Sequence, residues 1–142
     1  MLKGVKAEQC DNIKEINFLP ANLKELFLFE TNVERITCKL PNLEILDLSE
    51  TKLEYIPELP NSQKRLYCNQ MYRLKGFTNI PTSLKVLSIS GYIQLPPLPD
   101  GLTHLCIHTL KMLGDNILPN SIEYLATKEI YLAVTGKELR IM

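Results

Sequence analysis

The chain has 142 residues, 45% of them hydrophobic, with sixteen basic side chains balanced by sixteen acidic ones. A net charge of zero gives no long-range field for nucleic acid or an anionic membrane surface, so both are set aside as partners. No apolar run approaches the roughly 20 residues a helix needs to cross a bilayer, and the length suits one small domain.

In chain order, residues 1–9 (MLKGVKAEQ) lack the apolar centre of a secretory leader, and the expected location is cytoplasmic. Residues 1–18 are expected to form an N-terminal cap: Ile13, Ile16 and Phe18 are spaced three and two apart close before Leu23, which predicts a short strand and a tight return. From residue 19 to 128 one pattern recurs six times. It is clearest in residues 40–57, LPNLEILDLSETKLEYIP, where Leu43, Leu46 and Leu48 make one half, Thr51 sits between, and Leu53 and Ile56 make the other. The first positions are Leu23, Leu43, Gln63, Leu84, Leu102 and Ile122, in steps of 20, 20, 21, 18 and 20 residues. An apolar-Pro pair precedes each copy, at residues 19–20, 40–41, 59–60, 80–81, 98–99 and 118–119. The later copies loosen: Gln63 replaces a leucine, one residue is inserted around Tyr72, and the fourth copy is trimmed near Gln94. Residues 129–142 leave the pattern. There Ile130, Leu132 and Val134 alternate with Tyr131 and Ala133 before a turn at Thr135-Gly136-Lys137, which predicts a C-terminal cap built as a hairpin rather than a helical turn.

Leu46 and Leu48 are two apart and point to one side of a short strand, while Ile45, Asp47 and Ser49 point to the other. Proline fixes φ and removes a donor, so its recurrence favours extended return segments over helices. A beat near 20 residues leaves about ten for the return path, too few for helix and turn together. The expected fold is therefore a solenoid with one curved parallel β-sheet, an extended or 3₁₀ convex side and almost no α-helix, in which no coil is stable alone.

The motif L-P-x-x-L-x-x-L-x-L over residues 19–127 resembles the short leucine-rich repeats of secreted bacterial effector proteins. Fragments such as Ile80-Pro81-Thr82-Ser83-Leu84 are also similar to Pro-punctuated repeats of amoebae and their giant viruses. Those families mostly place Asn where this chain has Thr31, Thr51, Met71 or Tyr72, Tyr92 and Leu110, so a regular side-chain amide ladder is not expected. The resemblance implies a host-directed effector or viral protein that binds a host factor in the host cytoplasm.

Function is sought on the outward, concave side of the strands. Phe27, Phe29, Ile45 and Tyr67 flanked by Asp47 and Arg65 have the composition of a protein-binding hot spot, and these six are the candidate partner-binding residues. The bland alternative buries Phe27 and Phe29 beneath the N-terminal cap. From the fourth copy onward the corresponding middle row holds only Ser88, Cys106 and Ala126. A second reading, from the structural class, is a particle or oligomer component that assembles through open solenoid ends.

Catalytic signals are sparse: no Gly-rich phosphate loop, no Cys-x-x-Cys and no nucleophile elbow occur. The one constellation to weigh is His104, Cys106 and His108 on one strand face, a minor alternative as a zinc or Cys-His site. Alternate strand residues lie nearly 7 Å apart, so two of them can share a metal and three cannot. The expectation is a non-enzymatic protein with no cofactor and no metal. Four cysteines in separate copies are expected to be free thiols. Circular dichroism should give a spectrum dominated by strand and coil, and a helical spectrum would overturn the solenoid.

Overall fold

In each copy, the residue three after the first position falls at the centre of a short strand, where an aliphatic side chain meets its equivalents in the coils on either side. A computed structural model describes residues 2–91, 93–127, 131–135 and 138–141. Leu26, Leu46, Leu66, Leu87, Leu105 and Leu125 sit opposite one another in successive parallel strands. None is more than 1% exposed.

The strands in chain order are β1 (Gly4–Lys6), β2 (Glu15–Ile16), β3 (Glu25–Phe27), β4 (Arg35–Ile36), β5 (Ile45–Asp47), β6 (Tyr55–Ile56) and β7 (Arg65–Cys68), followed by β8 (Gly76–Phe77), β9 (Val86–Ile89), β10 (His104–Ile107), β11 (Tyr124–Ala126), β12 (Tyr131–Thr135) and β13 (Glu138–Ile141). The main sheet has nine strands in the order β1-β3-β5-β7-β9-β10-β11-β12-β13. All its pairs are parallel up to β11, after which β12 and β13 turn back as antiparallel strands. On the opposite side of the core, β2 pairs with β4 and β6 with β8. The helical element among the described residues is a single 3₁₀ turn, Leu110–Leu113. The fold is a parallel β-solenoid of about six turns, as the periodicity predicts.

Each coil enters its strand through the same turn. The carbonyls of Pro20, Pro60, Pro81, Pro99 and Pro119 accept from the amides of Leu23, Gln63, Leu84, Leu102 and Ile122, three residues on, at 3.1–3.2 Å. In the second coil Leu40 takes the acceptor's place, bonding the Leu43 amide, because there Pro41 stands one position later in the turn. The prolines thus preset the approach to the strand as well as keeping the return path extended.

The N-terminal segment differs from expectation. The strand that joins the main sheet is Gly4–Lys6, in register with Glu25–Phe27, and not the stretch around Ile13 to Phe18. Ile16 instead pairs with Ile36 on the opposite side, and Phe18 is 79% exposed. Leu2, Val5 and Ala7 are thereby spaced like Leu23, Leu26 and Leu28, and residues 2–18 make a coil of their own. The C-terminal alternation does form strands, and its turn at residues 136–137 lies outside the described residues.

Polar side chains shape each coil and tie it to its neighbours. Thr31 and Thr51 are buried, and their hydroxyls donate to the Leu28 and Leu48 carbonyls at 2.9 and 2.8 Å. At the entry turns, Ser62 donates to the Leu43 carbonyl and Ser83 to that of Gln63, while Ser121 donates to Leu102 and Asp100 of the preceding coil. Asn42 does the same to Ala21 at 3.0 Å. Outside the entry turns, Glu44 lies between Lys24 and Lys64 at 3.2 and 2.9 Å, and its hydrogen bonds to Lys64 and then Lys24 hold its carboxyl below the usual range. This pairing is at the surface, where screening leaves little net stability.

Two substitutions test the packing. Leu46→Ala removes a fully buried side chain held between Leu26 and Leu66, and should cost about 2–5 kcal/mol in denaturant unfolding. Gln63 is 0% exposed with its Oε1 unpartnered, and one of the two carbonyls its amide nitrogen contacts, that of Glu44, already accepts from two backbone amides. Gln63→Leu is therefore expected to stabilise the fold by about 1 kcal/mol, read as a higher melting temperature.

Candidate functional site

The inward residues of the main sheet are nearly all aliphatic, so chemistry that varies along the solenoid lies on the outward face. Register defines its rows. The middle row runs Lys6, Phe27, Asp47, Tyr67, Ser88, Cys106 and Ala126. The row beside it runs Gly4, Glu25, Ile45, Arg65, Val86, His104 and Tyr124. Phe27 therefore neighbours Asp47, which neighbours Tyr67, and Ile45 neighbours Arg65 on adjacent strands. Phe29 lies just beyond the end of β3.

The six residues expected to form a hot spot thus share three consecutive coils. Phe27, Phe29, Ile45, Asp47 and Tyr67 are half-buried and Arg65 is exposed. Neighbouring strands stand about 4.8 Å apart, so those of these side chains that share adjacent strands lie within reach of one another. Phe27 points out from the sheet, opposite to Leu26 and Leu28, and does not enter the leucine core.

Several outward polar groups serve the fold instead. Asp47 Oδ1 accepts from the Ser49 amide at 2.9 Å, and Ser49 Oγ accepts from the Asn69 amide at 3.0 Å. Ser90 Oγ accepts from the Gln70 amide at 2.7 Å. These bonds stabilise sharp turns after the strands, where Gln9, Glu30, Glu50 and Gln70 adopt φ of 54–58° without being glycine. Ser49 is only 5% exposed, so it offers little to a ligand. Sequence spacing finds the face a residue occupies but does not tell a side chain committed to its own backbone from one that is available.

The His104, Cys106 and His108 row lies at the other end of the sheet. His104 Nδ1 meets Thr103 Oγ1 at 2.8 Å, and its ring stacks on Tyr124 with centroids 4.6 Å apart. Cys106 is exposed as a residue, but partial burial of its sulfur pushes the thiol up from its ordinary value, against a smaller opposing effect of the Ser88 hydroxyl. A raised thiol pKa disfavours the thiolate that either a nucleophile or a zinc ligand needs. Among the described residues no group of three His, Cys, Asp or Glu side chains is placed to hold a metal. The four cysteines are all unpaired, with Cys68 fully buried in the core. No helix among the described residues is long and apolar enough to cross a membrane.

An inward aliphatic core, an outward variable face and a parallel sheet repeating at about 20 residues define a leucine-rich-repeat solenoid. The comparisons agree with that class. The chain is 34% identical to the disease resistance protein RPS4B of Arabidopsis thaliana in an alignment of 117 positions that covers 75% of this chain. It spans only about a tenth of that protein. Its fold is similar to that of YopM from Yersinia enterocolitica WA-314, with a TM-score of 0.61 and 22% identity, covering 81% of this chain and 30% of YopM. No family profile matches the chain.

Two measurements test the thiols. Cys106 should alkylate slowly at neutral pH and its rate should keep rising through pH 9, because a raised pKa shifts the onset of thiolate upward, whereas Cys68 should react only on unfolding. Metal analysis of the purified protein should find no zinc; about one zinc per chain, lost in Cys106→Ser, would reinstate the metal site.

Proposed function

We propose that the chain is a non-catalytic module that binds a protein partner through the concave, outward face of coils one to three. The observation that carries this reading is the cluster of Phe27, Phe29, Ile45 and Tyr67 around Asp47 and Arg65 on three adjacent strands. Half-buried aromatics bordered by charge can be desolvated by a partner at modest cost, which is the composition of an interface hot spot. The later coils offer Ser88, Cys106 and Ala126 in the same row, with much less area to bury.

The narrower form of the proposal is a host-directed protein, of bacterial-effector or viral kind, acting in a cytoplasm. Its supports are the L-P repeat motif, similarity to a protein whose name concerns disease resistance, and a fold like that of YopM. Four unpaired cysteines suit a reducing compartment.

One observation favours a second reading, self-assembly through the N-terminal coil of residues 2–18. Leu2 is 52% exposed and Val5 half-buried, whereas their equivalents Leu23 and Leu26 are 0% exposed because a further coil covers them. The edge strand there is short and carries Lys6, which discourages pairing with another edge, so we place this reading second.

Phe27→Ala and Tyr67→Ala are each expected to weaken partner binding by about thirtyfold, about 2 kcal/mol, with Ser88→Ala changing it little. All three should keep the parent melting temperature, since the side chains lie outside the core. Normal binding by both aromatic variants would sink the proposed face. Sedimentation of the parent chain against Leu2→Glu tests assembly: a dimer that dissociates in the variant would favour the second reading.

A further inference from the structure

The coils are unequal in length, and the inequality leaves space. The third coil takes 21 residues from Gln63 to Leu84 and carries the insertion near Tyr72, whereas the fourth takes only 18, from Leu84 to Leu102. Strand register is nevertheless unbroken from β7 through β9 to β10, so the shortening falls in the segment after β9. There, at the C-terminal ends of these strands, a cavity of about 620 Å³ opens beside the outward face. Met71, Leu74, Ile89 and Ile107 supply apolar walls that belong to the buried core. Asn69, Ser90, Cys106 and His108 stand among its polar lining. No lysine, arginine, aspartate or glutamate lines it among the described residues.

We propose that this cavity binds a neutral aromatic small molecule that carries a hydrogen-bond acceptor. The volume is in the range of about 300–1,000 Å³ usual for small-ligand sites. Apolar walls favour a ring system, and a charged ligand would lose hydration there without gaining a countercharge from the described lining. Two of the polar groups in the lining, Asn69 and Ser90, have a donor to offer. Ser88 Oγ donates to Asn69 Oδ1 at 3.0 Å, so the Asn69 side chain has its amide nitrogen, a donor, left to offer. Ser90 Oγ is already the acceptor for the Gln70 amide, which leaves its hydroxyl hydrogen to donate. Two donors above apolar walls call for an acceptor such as a ring carbonyl on the ligand. This site is separate from the Phe27 and Tyr67 face, so either can fail without the other.

Coumarin, a neutral bicycle with a ring carbonyl, is a suitable probe, titrated into the full chain with labelled Ile, Leu and Met methyl groups. Saturable shifts at Met71, Leu74, Ile89 and Ile107 are expected, with Kd at or below about 1 mM. Asn69→Ala should weaken binding about tenfold, and coumarin-3-carboxylate should bind at least about tenfold less tightly. Cys106→Phe and Ala126→Phe extend side chains from the outward face toward the opening, and either one that keeps the parent melting temperature should block binding. The proposal is overturned if no saturable shift develops, if Leu26 and Leu46 shift as much as the cavity methyls, if the carboxylate binds equally well, or if a folded filling variant binds like the parent.

Discussion

Lateral stacking of each coil on its neighbours is the constraint from which the other features follow. A single coil exposes its few leucines on both flanks, and burying one is worth only about 1.5–3 kcal/mol, far less than the conformational entropy of about 20 residues. Two neighbours cover both flanks at once, and the same step satisfies strand amides and carbonyls across the sheet. The column from Leu26 to Leu125 is the result, and it requires every strand to keep register whatever happens to the return path. Variation in coil length is therefore expelled to the segments that follow the strands. The trimmed fourth coil shows the consequence: the strands stay aligned and the missing residues become empty volume near Met71 and Ile89.

The same constraint divides the polar residues of the outward face. Strands of three or four residues end in abrupt turns, and residues such as Glu30 and Glu50 enter the left-handed region there without glycine. The side chains of Asp47, Ser49 and Ser90 secure those turns by accepting from backbone amides of their own or adjacent coils. Phe27, Tyr67 and Arg65 have no such duty in the structure and can vary without disturbing the stack. Side chains that hold the scaffold and side chains that do not are thus interleaved residue by residue on one face, and the aromatic cluster belongs to the second kind.

Much of the architecture was legible because its signal is periodic. A leucine spacing of three and two, renewed every 20 or so residues and introduced by proline, admits few alternatives to a stacked parallel sheet. The N-terminal coil of residues 2–18 escaped because its strand reads Gly4-Val5-Lys6 and its third core position is Ala7, too weakly apolar to register, while Ile13, Ile16 and Phe18 imitate the motif's first half. Leu2, Val5 and Ala7, 21 residues before Leu23, Leu26 and Leu28, were the available signal. The entry-turn hydroxyls of Ser62, Ser83 and Ser121 were likewise visible as a recurring serine two or so residues after proline, but their acceptors lie some 19 to 21 residues away and only stacking reveals them.

By itself the sequence determined the repeat, the inward and outward faces of each strand, the near absence of helix and the unequal furnishing of the outward rows, because alternation and spacing act within one coil. What lies between coils was decided by tertiary structure. Register set Phe27, Asp47 and Tyr67 side by side, committed the Ser49 and Ser90 hydroxyls to backbone amides of adjacent coils, turned His104 onto Tyr124 and opened the cavity where a short coil follows a long one. Each of these depends on distances between residues about 20 apart in the chain, and such distances exist only once neighbouring coils have stacked.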